Sequence, residues 1–286
     1  MNEPLVEHWT PGSDDRLRGN VERVFFWYGK PDRPRERVFP NGHATIMLQL
    51  DAPYRPGEGA NRHAFPSLCA DGLWTSSFVV EAPPTRTRVV GISLTPAGAV
   101  RILDSSIAEI SSATYALDDV VGRIGRELGE RTESARTPKP AIEVVVRWLR
   151  DRVDRSRELP SDVAHVAAAI EAHHGVFPVR SFLETLTQSP SRLTGTFRAH
   201  FGMTPKRFAR IVRFRHAVDL LVAERPIVEV AASAGFYDQA HFNAEFKLHA
   251  GMTPGAFLAA DRYPGSASLA EGDWDVFSKT AEVSVL

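Results

Sequence analysis

The sequence predicts an α+β protein: an amino-terminal antiparallel β-barrel or sandwich with accompanying helices, then an all-α domain holding two helix-turn-helix units. Two observations carry this. The first is a pattern written twice. Phe197-Arg198-Ala199-His200-Phe201-Gly202-Met203-Thr204-Pro205 returns 49 residues later as Phe246-Lys247-Leu248-His249-Ala250-Gly251-Met252-Thr253-Pro254, and Phe208 returns as Phe257. Gly accepts the left-handed conformation that ends a helix, Thr caps the next one, and Pro fits its first turn. One helix therefore ends and another begins, twice, in matching local geometry. The second observation is a set of short β-rich runs confined to residues 1–115.

Taken in order, Val21 to Tyr28 is aromatic and β-branched, and Thr45 to Leu50 alternates Ile46, Leu48 and Leu50 with Thr45, Met47 and Gln49. Trp74 to Val80 and Thr87 to Leu94 are two further strand-like runs. Pro40-Asn41-Gly42, Arg55-Pro56-Gly57 and Pro83-Pro84 punctuate them. Thr95-Pro96-Ala97-Gly98 ends the last strand, and Ala99 to Ile110 reads as a helix with Val100, Leu103 and Ile107 on one face. Asp118-Asp119 can cap a helix through Val120, Val121, Ile124 and Leu128. After the polar break Glu130 to Lys139, Ala141 to Val153 is a second helix, with Ile142, Val145, Val146, Leu149 and Val153 in a stripe and Trp148 adding apolar surface. Those two helices either pack on the β domain or pair with a second subunit.

Arg155 to Pro160 is a charged linker and the expected domain boundary. Asp162 to His174 is helical and stops at Gly175; Arg180 to Leu186 is a short helix. Ser189-Pro190 starts the next one, Lys206 to Ala223 is long, Ile227 to Ala234 is short with a turn at Gly235, and Asp238 opens the helix carrying Phe242 and Phe246. The expected organisation is a β-rich ligand-sensing domain over 1–115, a helical dimerisation or linker segment over 116–160, a DNA-binding domain over 161–262 and a tail over 263–286. The tail is acidic and rich in Gly and Ser, with Trp274 and Phe277 as a docking segment.

Composition excludes several classes. The 286 residues are 43% hydrophobic and 24% charged, ordinary for a globular chain, and no apolar run approaches the ~18 residues of a membrane span. The polar start, Met1 to Asp15, predicts no secretory signal, so a cytoplasmic location is expected. One cysteine, Cys69, rules out an internal disulfide and a multi-cysteine zinc site, and reads as a buried structural thiol. His43 and His63 stand alone, without metal-ligand spacing, and neither a Gly-x-Ser-x-Gly motif nor a P-loop is present. No catalytic residue, metal or cofactor is predicted, and the chain does not read as an enzyme. Phe25, Trp27, Trp74 and Phe78 are candidates to line a small-molecule pocket, although each also reads as core.

Net charge is −1, from 34 Lys and Arg against 35 Asp and Glu. Its distribution is informative. From Ser189 to His216 there are seven basic residues, Arg192, Arg198, Lys206, Arg207, Arg210, Arg213 and Arg215, and no acidic one. A charge run is usually a solvated helix face, but this one falls on a helix-turn-helix pattern, which favours phosphate contact.

Ile227-Val228-Glu229-Val230-Ala231, Gly235-Phe236-Tyr237-Asp238-Gln239, His241-Phe242, Phe246-Lys247 and the two Gly-Met-Thr-Pro segments resemble the AraC/XylS family of bacterial transcription regulators over about 100 residues. Arg37-Val38-Phe39-Pro40-Asn41-Gly42-His43 and Pro96-Ala97-Gly98 look like the sensor domain of a poorly described subgroup of that family. The resemblance implies a cupin-like β domain, possession of a seven-helix module, and a long central helix holding two helix-turn-helix units whose second helices, about 189–200 and 238–249, enter adjacent major-groove segments. It implies double-stranded DNA as partner, a small-molecule effector, a homodimer, and RNA polymerase if the regulator is an activator. The alternative within the same class is a regulator whose β domain only dimerises. A DNA-repair alkyl acceptor, some of which carry this helical module, needs a zinc-held cysteine set that one cysteine cannot supply.

Helical geometry nominates DNA-facing side chains without the family. With Leu193 and Phe197 inward, the outward stripe is Ser191, Thr194, Gly195 and Arg198; with Phe242 and Phe246 inward, it is Ala240, Asn243, Ala244 and Lys247, preceded by Gln239. Asn243 and Gln239 suit adenine, Thr194 can also reach a base edge, and Ala240 and Ala244 suit thymine methyls. Arg192, Arg198, Lys206, Arg207, Arg210 and Lys247 suit phosphates. His241 completes the candidate set, with helix packing as its competing role. Departures from the family are Gly195 and Ala244 where relatives often carry Arg, Ala240 where they carry Ser, Thr187 in place of the first turn glycine, and Leu183 at a helix crossing. Affinity is therefore expected to rest mainly on phosphates.

Overall fold

Strand β2 (Val21–Gly29) is buried on both faces, which explains its nearly unbroken run of large apolar residues. In the computed structural model, which describes residues 4–31, 33–57, 64–103, 107–156 and 158–259, β1 (Leu5–Trp9) and β2 are followed by β3 (Arg35–Val38), β4 (Ala44–Gln49), β5 (Arg55–Pro56), β6 (Leu68–Asp71), β7 (Phe78–Glu81), β8 (Thr87–Leu94) and β9 (Thr114–Ala116). His63 and the tail segment with Trp274 and Phe277 lie outside the described residues. The strands form a six-stranded antiparallel sheet, ordered β1-β2-β8-β4-β6-β9, and a three-stranded one, ordered β3-β7-β5. This is the two-sheet form of the expected β domain; among the described residues no closed barrel forms.

Alternation along β2 sorts its side chains. Phe25 and Trp27 enter an aromatic layer with Tyr54, Val80 and Val89 on the side of the small sheet. Val24 and Phe26 enter the main core on the other side. That side is covered by helix α5 (Pro138–Arg155), whose Ala141, Ile142, Val145, Leu149 and Val153 are buried. The stripe left open between sheet and subunit therefore lies against the sheet. Preceding it are α1 (Pro96–Leu103), α2 (Ile107–Ile110), α3 (Leu117–Val121) and α4 (Arg123–Glu133). Gly122, at φ 73°, breaks the expected single helix into α3 and α4. Asp118 and Asp119 sit in the first turn of α3 instead of capping it.

One expected strand is shorter than its sequence suggests, and several short strands lie outside the expected set. Trp74 to Ser77 is not strand; β7 begins only at Phe78. β1, β3, β6 and β9 carry no strand signal because they are short and polar or show no alternation, as in β1, where every residue but Trp9 is exposed; Arg55-Pro56, expected as part of a turn, forms the two-residue strand β5 against β7. Val21 to Tyr28 and Thr87 to Leu94 coincide with β2 and β8 within one residue.

The helical region runs α6 (Ser161–Ala172), α7 (Val179–Glu184), α8 (Pro190–Phe201), α9 (Pro205–Val222), α10 (Ile227–Ser233), α11 (Gln239–Ala250) and α12 (Pro254–Ala259). Ser189, Thr204 and Asp238 cap α8, α9 and α11 through bonds from the backbone N–H three residues on. Gly202 and Gly251 both end their helices in the left-handed conformation at φ 71°. The repeated sequence thus folds into repeated structure. The first half of α9, through Phe208, Ala209, Ile211 and Val212, joins Leu193, Phe197 and Phe201 of α8 in a core continuous with that of the large sheet. The second half, through Phe214, Ala217, Val218 and Leu221, joins Phe242, Phe246 and Ala250 of α11 in a second core.

Register pairs Phe25 of β2 with Gly91 of β8. A Cβ at position 91 would lie 1.9 Å from the Phe25 ring, so the ring occupies the space glycine leaves. Gly91→Ala is expected to destabilise the protein by about 3 kcal/mol through overpacking, measured by urea denaturation; a change below 0.5 kcal/mol would show that the ring moves aside freely.

Candidate nucleic-acid interface and inter-sheet cavity

The exposed face of α8 is set by Leu193, Phe197 and Phe201, which are buried one turn apart. Opposite them Ser191, Arg192, Gly195 and Arg198 are exposed and Thr194 is half-buried. On α11, Phe242, Phe246 and Ala250 fix the inward side, leaving Gln239, Ala240, His241, Ala244 and Lys247 exposed and Asn243 half-buried. Beyond its chain neighbours and the adjoining helix backbone, no described protein atom lies within 4 Å of a Cβ placed at Gly195, so no packing contact requires that glycine. In the first unit Thr187 stands at the turn, whereas Gly235 of the second takes φ 66°.

The basic candidates, those of the 189–216 run together with Lys247, divide in two. Arg192, Arg198, Lys206 and Lys247 are exposed and make no ion pair among the described residues. Arg210 instead forms two bonds to Glu245 of α11, 2.8 Å from Nε to Oε2 and 2.7 Å from Nη2 to Oε1. Arg213 also approaches Glu245 and lies over the Phe236 ring, 4.7 Å from its centroid. Burial pushes the Glu245 carboxyl up, but the bonds and charge of Arg210 outweigh this and hold it below its ordinary value. Arg215 turns to the β domain, where Nη2 donates to Glu22 at 2.8 Å and Nη1 lies 3.0 Å from His43. His43, 6% exposed, pairs with Glu22 as well. Arg207 donates to Thr75 Oγ1 at 3.2 Å. Spacing alone could not distinguish these inward arginines from the outward ones, because their partners are distant in sequence.

His241 has a structural partner. Its Nδ1 accepts from the Tyr237 N–H at 3.3 Å, and its own N–H donates to Asp238 Oδ1 at 2.7 Å. The two bonds fasten the first turn of α11 to Asp238, its N-cap, and to Tyr237, the residue before it. Tyr237 itself is 93% exposed beside that turn, an aromatic position that the helical stripes missed.

His249, 4% exposed, shows that α11 also meets the β domain. Its Nδ1–H donates to the Thr75 carbonyl at 2.8 Å. Burial lowers its pKa, opposed by that bond. Next to it, Ser77 donates from its backbone N–H to the His249 carbonyl and from its hydroxyl to the Ala250 carbonyl, both at 2.7 Å. These carbonyls belong to the last turn of a helix, where no intrahelical partner exists.

A cavity of about 100 Å³ lies between the two sheets. Its walls include Phe25, Phe65, Phe78, Tyr54, Met47 and Val80, with Glu36, Asp71, Gln49, Thr45 and Thr114 among the polar groups. Two of the four aromatic candidates, Phe25 and Phe78, line it. Trp27 does not, being packed at 1% exposure within the aromatic layer. Trp74 stacks behind Phe78, ring centroids 4.0 Å apart. Cys69 is buried on the cavity wall, and burial raises its thiol well above the ordinary value. Among the described residues no group of His, Cys, Asp and Glu is arranged to hold a metal ion. No helix among them is long and apolar enough to cross a membrane.

Residues 183–260 match a family model described as a helix-turn-helix domain. The chain is 34% identical over 87 residues to the HTH-type transcriptional activator RhaR of Klebsiella pneumoniae, covering 30% of this chain and 31% of that protein. It is 34% identical over 84 residues to the arabinose operon regulatory protein of Escherichia coli, covering 29% of each. The match thus spans about a third of the length of these relatives. Among solved structures, unsaturated-fatty-acid-bound ToxT from Vibrio cholerae is similar at a TM-score of 0.46 and 12% identity, covering 84% of this chain and 95% of that one.

Burial raises the Asp71 carboxyl from its ordinary 3.8 to about 6, opposed by a hydrogen bond from Thr114. The folded state therefore binds this proton more tightly than the unfolded chain. The stabilisation is complete below about pH 4 and is lost as the pH rises through 6. Asp71→Asn is expected to remove about 2 kcal/mol of stability change between pH 4 and 7, read by urea denaturation across that range; an unaltered pH profile contradicts a proton held in the cavity.

Proposed function

We propose, from the AraC-type helix-turn-helix domain that the carboxyl-terminal region carries, that the protein is a transcription regulator binding double-stranded DNA through α8 and α11 together. The observation that supports this most is the matched exposure of two equivalently capped helices, one preceding and one following α9 in the chain. Each helix would enter the major groove, the two lying about one turn of duplex, roughly 34 Å, apart. On α8, Ser191, Thr194 and Gly195 would face base edges; on α11, Gln239, Ala240, Asn243 and Ala244 would do so, with His241 and Tyr237 at the helix start. Gly195, which no internal contact demands, would let the DNA come close to the α8 backbone.

Arg192, Arg198, Lys206 and Lys247 are the phosphate contacts in this reading, and Arg207 joins them when it leaves Thr75. Arg210 is better read as the clasp between α9 and α11, given its two bonds to Glu245. With two alanines and a glycine among the groove-facing residues, affinity rests mostly on phosphates and sequence discrimination per monomer is modest.

The inter-sheet cavity is the effector site in the same reading. Its apolar walls and its carboxyls, Asp71 and Glu36, suit a small molecule with an apolar body and a hydrogen-bond donor or positive charge. Fluorescence anisotropy on a labelled duplex tests the DNA side. Arg198→Ala and Lys206→Ala are each expected to reduce the slope of log K against log salt by about 1, while Arg215→Ala leaves it unchanged. Equal slopes in all three variants would contradict the proposed division of the basic residues.

A further inference from the structure

The small sheet has two working faces. On β3, Glu36 and Val38 line the cavity, while the alternating positions face the other way. Arg37 donates from Nη1 to Ser77 Oγ at 3.2 Å and lies where a Cβ on Gly251, the C-cap of α11, would be 2.9 Å from it. Phe39 packs edge-on against Phe257, centroids 5.6 Å apart, and reaches Phe214 at 6.4 Å. The neighbouring strand behaves alike: Phe78, paired with Val38 in register, lines the cavity, and Ser77, one residue earlier, caps α11. Between Ser77 and the large sheet, residues 73–77 form a strap. Its Leu73 carbonyl is fixed by Ser111 and Ser112, Trp74 stacks on Phe78, and Thr75 holds both His249 and Arg207.

We infer that β3, β7 and this strap are a shared wall through which the occupant of the cavity sets the order of the last turn of α11. This rests on the cavity being the effector site. A ligand that displaces Phe78 moves Trp74 and Ser77, and with Ser77 go the two bonds to the His249 and Ala250 carbonyls. Uncapped carbonyls at a helix end let the final turn fray, and Lys247 and Asn243 lie on that turn and the one before it. Arg207, released from Thr75, becomes available to phosphate at the same time. α8 meets the other end of the strap, which close packing anchors: Leu73 is buried in the same core as Leu193, Phe197 and Phe201, and Ser111, which holds the Leu73 carbonyl, lies where a Cβ on Gly202 would be 3.1 Å from it, so the end free to shift is the one at α11. The second helix-turn-helix unit is therefore the regulated one, and a change in the cavity alters how many units engage DNA.

Amide hydrogen exchange on the full chain tests the coupling without ligand or DNA. Ser77→Ala and Phe78→Ala are both expected to accelerate exchange of residues 246–252 by about tenfold, with residues 193–201 of α8 and 24–27 of β2 unchanged. Val89→Ala, which also trims the cavity wall but lies on β8 away from the strap, is expected to leave 246–252 within about twofold of the original rate. Acceleration by Ser77→Ala without any by Phe78→Ala overturns the inference, as does equal acceleration of every segment. If Phe78→Ala does not fold, Phe78→Leu and Trp74→Phe make the same comparison. Duplex affinity of the same variants is measured separately, so that absence of DNA binding sinks the regulator reading and leaves the coupling result standing.

Discussion

The burial of α9 against two separate cores is the constraint on which the rest of the helical region depends. Phe208 and Ile211 commit its first half to α8 and, through the shared core, to the large sheet. Phe214, Val218 and Leu221 commit its second half to α10, α11 and α12. Each half presses on the apolar stripe of one helix, Leu193 and Phe197 in α8, Phe242 and Phe246 in α11, so the opposite stripes must face out. Arg210, where the halves meet, reaches across to Glu245 and ties the second core back to the first.

The two units are equal in local geometry and unequal in attachment. The first is continuous with the interior of the β domain, held by close packing of large side chains. The second keeps its own interior, and the β domain reaches it through Phe39, Arg37, the Arg215 contacts to Glu22 and His43, and three hydrogen bonds between the strap and its last turn, two donated by Ser77 and one by His249. Packed interiors resist small displacements, whereas a few hydrogen bonds can be exchanged for bonds to water at modest net cost. The second unit is accordingly the one a small sensor can influence.

Much of this was readable in the residues. Helix caps are local chemistry, so Ser189, Thr204 and Asp238 and the two stop glycines, Gly202 and Gly251, could be placed from sequence, and helical spacing separated Leu193 and Phe197 from Ser191 and Arg198. Strands β2 and β8 were legible because their long apolar runs exceed what a surface segment would carry. Contacts between distant segments were not legible. Trp74 to Ser77 has the composition of a strand, yet its backbone bonds go to a helix end far along the chain. Arg210, Arg213 and Arg215 look like their neighbours Lys206 and Arg207 until Glu245, Glu22 and His43 are brought alongside. The cavity was half-legible for the same reason: aromatic content indicated Phe25 and Phe78, but only pairing of the sheets shows that Trp27 packs elsewhere and that Asp71 and Glu36 are on the wall.

The central claim is that two helices of one chain engage one face of a duplex together. Hydroxyl-radical footprinting on a site selected from random duplexes tests it most directly. Two protected patches per chain on the same face, about one helical turn apart, with the second lost in Asn243→Ala combined with Lys247→Ala and the first lost in Thr194→Ala combined with Arg198→Ala, is the result expected. A single patch that either pair of substitutions abolishes equally would contradict it.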